Sequence, residues 1–273
     1  MEDRRSAHEL LELSNWGLDG LIVSLEGASH KVVDAVAALN LPIVNIGVSP
    51  VDFPTVSVCA KSIARLVSNH LRRRSVTSLA FVSTAHHQRL ANALAQESAD
   101  HNWEFQHVET DVSDSMLLDP ILCGRFERLI ASVRRPSQQM AIVTSCDLIA
   151  VGASQMVQQY SDDPGLTALI SCRESLLCGM PDDSITAVQE PSYELGMAAA
   201  RMMQSLLDGQ TPARHCTLDA MDLVVRRVMS WASFIALNNF EKQPARYERL
   251  PAHYFGICAV VISRAADKDL SIA

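Results

Sequence analysis

Short apolar runs alternate along the chain with longer stretches whose apolar residues recur at every third or fourth position. This is the pattern of strands laid in a parallel sheet and wrapped by helices. It predicts a helix over residues 7–16, a strand over 20–24, a helix over 31–39 and a strand over 41–46. A short extended piece over 55–59 then leads into a helix over 60–73. A second set of units follows: strand 78–83, helix 89–101, strand 103–108, polar loop 109–120, helix 125–133, strand 140–145, helix 148–160, and strands 166–171 and 184–188.

The closing segment is the most distinctive. From Tyr193, Leu195, Ala198, Met202 and Leu206 mark one buried helical face, and Asp208-Gly209 with Pro212 just beyond stops the helix. Leu223-Val224-Val225 then reads as a buried strand, and Gly196 as a point where another backbone approaches closely. The alternation predicts an α/β fold class built on parallel sheets. The chain is expected to divide into residues 1–75, residues 76–183, a crossover strand, helix and closing strand over 184–230, and a tail over 231–273.

Composition narrows the class. The 273 residues are 48% hydrophobic and 20% charged, enough for one large core or two smaller ones. No apolar run reaches the roughly 18 residues of a membrane span. Glu9, Glu12, Asn15 and Asp19 interrupt every candidate signal-peptide core, which predicts a cytoplasmic protein with no membrane partner. Seven cysteines (Cys59, Cys123, Cys146, Cys172, Cys178, Cys216 and Cys258) lack ligand or paired spacing and read as reduced thiols. The net charge of −8 argues against this chain alone gripping DNA. Arg72-Arg73-Arg74, the one basic run, reads as cations complementing a helix end.

Gly196, Ala199, Leu206, Gly209, Pro212 and Leu223-Val224-Val225-Arg226-Arg227, at this spacing, resemble the end of the effector domains of the lac and gal repressor family. Upstream, Leu18-Asp19-Gly20-Leu21-Ile22-Val23 and Leu41-Pro42-Ile43-Val44 look like two of the family's first-lobe strands. Gln88-Arg89-Leu90-Ala91 is similar to its Arg-Leu-Ala-Gly site. The stretch from Ser145-Cys146-Asp147 to Gly152 is similar to its Ala-Asn-Asp-x-x-Ala-x-Gly turn from strand to helix. Among subfamilies the xylose-operon regulators look nearest.

The resemblance implies a sensor, not an enzyme: two parallel-sheet lobes, the first (1–75) incomplete and the second over 76–183, are joined by three crossovers and a hinge. They close a central cleft on a small sugar, such as a pentose, and alter a linked DNA-binding module; the tail over 231–273 is atypical of the family. The partners implied are a sugar effector, a second copy in a homodimer, and DNA only where a DNA-binding module is supplied elsewhere. No cofactor and no metal is expected. Ligands of parallel sheets sit beyond the carboxyl ends of the strands, which directs attention to residues just after Ser83, Ser145 and Ser171.

Arg89 is the first candidate ligand contact, because a guanidinium forks its donors onto adjacent hydroxyls; the alternative is a surface arginine in a salt bridge. Asp147 either accepts hydroxyl protons or only caps its helix. Cys146 and Cys172 stand where relatives place hydrogen-bonding Asn and Asp, and a thiol is a weaker partner. Glu190 aligns with a polar cleft residue or caps the following helix. His86-His87 reads as exposed loop rather than a metal site. Cys146 at a helix amino end is also a position for a nucleophile, with no local histidine to activate it.

The chain departs from the family at both ends. The usual first strand, helix and second strand are missing, which predicts an exposed edge on strand 20–24, prone to pair with another chain. The tail after Ser230 carries an aliphatic strand-like run, 257–262, and no helix-turn-helix pattern. Two alternatives follow: a stand-alone solute-binding protein serving a transporter, and a truncated or frameshifted, inactive regulator fragment.

Overall fold

The apolar runs fold into two sheets, each carried by its own unit of the chain. The structure is a computed structural model that describes residues 17–26, 28, 30–48, 53–110, 139–160, 167–179, 185–226, 260–263 and 271–272. The helices expected over 7–16 and 125–133, and nearly all of the loop 109–120, lie outside these residues. One unit draws on Met1–Cys59, Pro191–Leu218 and Phe255–Ala273, the other on Ala60–Glu190 and Asp219–Tyr254.

The first unit holds β1 (Gly20–Val23), α1 (His30–Ala37), β2 (Ile43–Ile46) and β3 (Thr55–Val58). Its sheet also takes β9 (His215–Leu218), β11 (Val260–Ser263) and β12 (Ser271–Ile272), in the order β12-β11-β1-β2-β3-β9. Side chains alternate across a strand, so β1 feeds two cores. Leu21 and Val23 pack with Val32 and Val36 of α1, while Ile22 joins Val44, Val56 and the buried face of α5 (Ser192–Leu207). That face is Leu195, Ala199, Met202 and Met203. A fully buried Leu or Met contributes about 1.5–3 kcal/mol through the water it sheds.

The stop of α5 is a Schellman turn. Gly209 lies at φ +74°, its N–H donates to Leu206 O (3.0 Å), and the Gln210 N–H donates to Ser205 O (2.9 Å). Gly196, expected at a close approach, has open space around its Cβ direction. The close approach falls at Gly20 instead, where a Cβ would stand 2.6 Å from Met203 Sδ and 3.2 Å from Pro42 O.

The exposed edge expected on the first strand is absent. β11 pairs antiparallel with β1, matching Gly20 to Ile262, Leu21 to Val261 and Ile22 to Val260, and β12 pairs in turn with β11. The buried strand had one ladder of backbone groups to satisfy, and the aliphatic run of the tail satisfies it.

The second unit begins with α2 (Ala60–Leu71), whose buried Ile63, Ala64, Val67, Ser68 and Leu71 follow the helical period. A 3-10 turn, Arg72–Arg74, leads into β4 (Val76–Ser83), α3 (Gln88–Asp100) and β5 (Glu104–Glu109). Next come β6 (Gln139–Thr144), α4 (Asp147–Tyr160), β7 (Thr167–Ser171), β8 (Thr186–Gln189) and β10 (Asp222–Val224). The sheet order is β10-β8-β7-β6-β4-β5, parallel except for β10, which runs antiparallel to β8. The central β6 is buried from Met140 onward and packs Met140 and Ile142 against Ile149, Ala153 and Val157 of α4.

Leu223-Val224-Val225 is not a buried strand. β10 ends the sheet, its Leu223 and Val224 are only half-buried, and Val225 is 55% exposed. The segment is held instead by Arg226, whose Nη2 donates to Glu174 Oε1 (2.7 Å) and whose Nη1 donates to Ile185 O (3.0 Å). Its backbone N–H also donates to Thr186 Oγ1 (3.2 Å).

Candidate functional site

In the second unit β4, β6, β7 and β8 run parallel and adjacent, so their carboxyl ends emerge side by side. The turns leaving them are stitched together by backbone bonds. The Ser145 N–H donates to Val82 O (3.0 Å), and the Cys172 N–H to Thr144 O (2.8 Å). The Thr84 N–H reaches Ser145 Oγ at 3.3 Å.

Cys146 is half-buried where β6 turns into α4, and its carbonyl accepts the Ala150 N–H (3.1 Å) and the Thr144 hydroxyl (3.0 Å). Its side chain leans on the core beneath the sheet. Asp147, the first residue of α4, accepts the Leu148 N–H on Oδ1 at 2.9 Å, so its carboxylate serves the helix amino end.

Cys172 follows β7 and is 3% exposed. Burial, then the Glu190 carboxylate and the Cys146 sulfur, push its thiol far above the ordinary range, so it stays protonated. These influences place Cys146, Cys172 and Glu190 in one neighbourhood. Glu190 follows β8 and directly precedes Pro191, the cap position of α5. Its Oε2 lies 3.4 Å from Arg173 Nε.

Arg173 was not singled out from the sequence. The Ser171 hydroxyl donates to Arg173 O (2.6 Å), and the Arg173 N–H reaches Ser171 Oγ (3.3 Å). This side-chain turn fixes the backbone that presents the guanidinium, a type of turn a serine two residues upstream commonly forms. Arg173 and Glu190 set a donor fork beside a carboxylate acceptor at neighbouring strand ends. Cys178, just beyond, is buried and its thiol is also pushed up, first by burial.

Arg89 is exposed in the first turn of α3, and its side chain forms no hydrogen bond or ion pair with another described residue. His86 is exposed at φ +75°, whereas His87, read as exposed loop, is 6% exposed. His107 stacks on Phe81 (5.2 Å between centroids) and its Nε2 lies 2.9 Å from Ser83 Oγ. Burial holds the His107 imidazole below its usual range; Glu109 opposes this and His87 adds to it.

The arrangement offers hydrogen-bonding side chains of both signs on a rigid scaffold, and no group of three or more His, Cys, Asp or Glu that could hold a metal occurs among the described residues. Cys59, Cys146, Cys172, Cys178 and Cys216 carry reduced thiols. Among the described residues no helix is long and apolar enough to cross a membrane.

Residues 68–228 match the periplasmic binding protein-like domain family. No curated protein sequence matches the chain. Solved structures similar in fold include the transcription regulator CcpA of Lactococcus lactis, at 20% identity and a TM-score of 0.66, with 82% of this chain and 83% of that chain covered. A LacI family transcriptional regulator from Mycobacterium smegmatis is 18% identical with a TM-score of 0.66, covering 83% and 84%. A periplasmic binding protein/LacI transcriptional regulator from Alkaliphilus metalliredigens QYMF, complexed with D-xylulofuranose, is 14% identical with a TM-score of 0.63, covering 82% and 83%. At such identities these likenesses establish the fold.

Proposed function

Because the chain belongs to the periplasmic binding protein-like domain family, we propose that it is the effector-sensing domain of a transcriptional regulator and that its effector is a small sugar. The observation that carries this reading is the cluster at the carboxyl ends of β6, β7 and β8, where Arg173 pairs with Glu190 in the neighbourhood of the buried Cys172 and of Cys146, and Asp147 follows Cys146 at the start of α4. A sugar diol needs donors and acceptors at once, and a guanidinium next to a carboxylate supplies both. Arg89 contributes a further fork from α3. The pentose in the Alkaliphilus complex makes pentoses the first class to try.

The protein is read as non-enzymatic. Cys172 is protonated and buried, and Cys146 lies over the apolar core. Binding biases the closure of the two units, since a ligand shifts a conformational equilibrium by its differential contacts. DNA binding and homodimer formation are part of the same proposal, with the DNA-binding module supplied elsewhere.

The test is thermal unfolding with a panel of pentoses and hexoses. A sugar at a hundred times its dissociation constant stabilises the fold by about 2.7 kcal/mol, a readily measured rise in midpoint. The rise is expected for one sugar class and is reduced in Arg173→Met and Arg89→Ala. A cooperative transition that no sugar moves would overturn the proposal.

A further inference from the structure

The second unit carries a concentration of positive charge at the end of its sheet opposite the strand termini just described. Along β4, Val76 and Ser83 bracket the strand, about 23 Å apart at roughly 3.3 Å per residue. At the Val76 end a cavity of about 350 Å³ is lined by Arg73, Arg74, Ser75, Val76, Gln139 and Ala168. A second, of about 420 Å³, is lined by Asn69, Arg72 and Arg73. Arg73 borders both.

A basic turn at a helix carboxyl end needs nothing more than solvent and the helix dipole to account for it. Two features go beyond that account. Among the described residues none of the three arginines is paired with a carboxylate, in a chain whose net charge is −8. The backbone also passes from the right-handed 3-10 turn into left-handed Ser75 (φ 53°, ψ 33°), the alternation that turns successive amides toward one concavity.

The side chains agree. Gln139 adds an amide to the rim of the first cavity and Asn69 another to the second. Burial first, and then the charges of Arg74 and Arg73, hold His70 below its usual range, so the positive potential of the arginines reaches the half-buried imidazole. The volume of the first cavity falls within the roughly 300–1,000 Å³ of small-molecule sites.

The geometry points to a second ligand site, formed by Arg73, Arg74, the Ser75 turn and Gln139, that takes the phosphate group of a small phosphorylated molecule. Forked guanidinium donors match phosphate oxygens, and paired arginines strengthen the match through charge-assisted bonds. This site is independent of the sugar-sensing reading, because it uses none of the residues at the strand carboxyl ends.

The experiment is calorimetric titration of the full chain with inorganic phosphate, pyrophosphate and ribose 5-phosphate at about 0.15 M ionic strength. The Arg73→Gln/Arg74→Gln double variant is titrated in parallel. Saturable binding of at least one probe, weakened about tenfold or more in the variant, is expected. Equal affinity for phosphate and ribose 5-phosphate assigns recognition to the phosphate alone, and a preference for ribose 5-phosphate assigns an organic phosphate.

Should the variant fail to unfold cooperatively, protection of Arg73 and Arg74 from phenylglyoxal by pyrophosphate in the unaltered protein decides instead. Absence of saturable binding, binding unchanged in the folded variant, or absence of protection overturns the proposal. Tighter binding of duplex DNA than of any small phosphate, falling steeply with salt, also overturns it.

Discussion

Replacing Arg226 with Met tests what holds the closing segment in place. Arg226 sits in the Leu-Val-Val-Arg-Arg run, and its guanidinium joins Glu174 (2.7 Å) and the carbonyl of Ile185 (3.0 Å), 52 and 41 positions away. Arg226 is 22% exposed and Glu174 27%, so the pair is partly desolvated and Glu174 recovers some hydration once its partner is gone. A charge-assisted hydrogen bond contributes about 1.5–3 kcal/mol, and a buried carbonyl left without a donor costs about 1–3. The Met stem retains the packing of the arginine chain. With these offsets the expected loss is about 2–4 kcal/mol. For a unit of this size that lowers the unfolding midpoint by roughly 5–15 °C.

The assay is urea and thermal unfolding followed by circular dichroism, with Glu174→Gln and the double variant completing a cycle. The coupling energy is expected at about 1–2 kcal/mol. Arg226→Lys keeps the charge, loses the fork and falls between the two. An Arg226→Met protein within about 0.5 kcal/mol of the original, or a coupling indistinguishable from zero, would refute the reasoning.

Other expectations follow from the packing and the titrating groups. Gly20→Ala forces a Cβ toward Met203 and the Pro42 carbonyl and costs about 1–3 kcal/mol, whereas Gly196→Ala enters open space in a helix and adds about 0.5–1 kcal/mol; paired unfolding curves check both signs. The thiols of Cys172 and Cys178 have raised pKa values in the fold, so stability is full below the unfolded thiol value of about 8.5 and falls as pH climbs above it. Denaturation at rising pH is expected to show a shallower loss in Cys172→Ala/Cys178→Ala. His107 has the opposite sign: its depressed pKa makes stability fall as pH drops below about 6.5, a loss that His107→Phe reduces in the same titration.

Much of the fold was legible because buried parallel strands and amphipathic helices leave strong periodic signals. β1, β4, β6 and α5 lie within a residue or two of where the pattern puts them. What escaped depends on partners far apart in the chain. The Arg173–Glu190 pair spans turns of two strands, and nothing local in either sequence announces it. The same holds for Arg226, whose motif was visible as an apolar run but whose role is set by Glu174 and Ile185.

β11 shows the limit from another side. The aliphatic run 257–262 was readable as strand-like, but its pairing with β1 is a contact between chain segments more than 200 residues apart. His87 was misread because local polarity suggested a loop, while its burial and its electrostatic influence on His107, twenty residues on, come from the folded neighbourhood. The positions of Cys146 and Asp147 at a turn from strand to helix were legible from the local order of residues alone.

The most direct test of the account is hydrogen-exchange mass spectrometry of the full chain with and without the sugar that most raises the unfolding midpoint. The account predicts slowed exchange in peptides covering the ends of β4, β6, β7 and β8, from Ser83 to Arg89, Ser145 to Ala150, Ser171 to Glu174 and Gln189 to Glu190. Protection confined to other segments, with these four unchanged at saturating sugar, would contradict it.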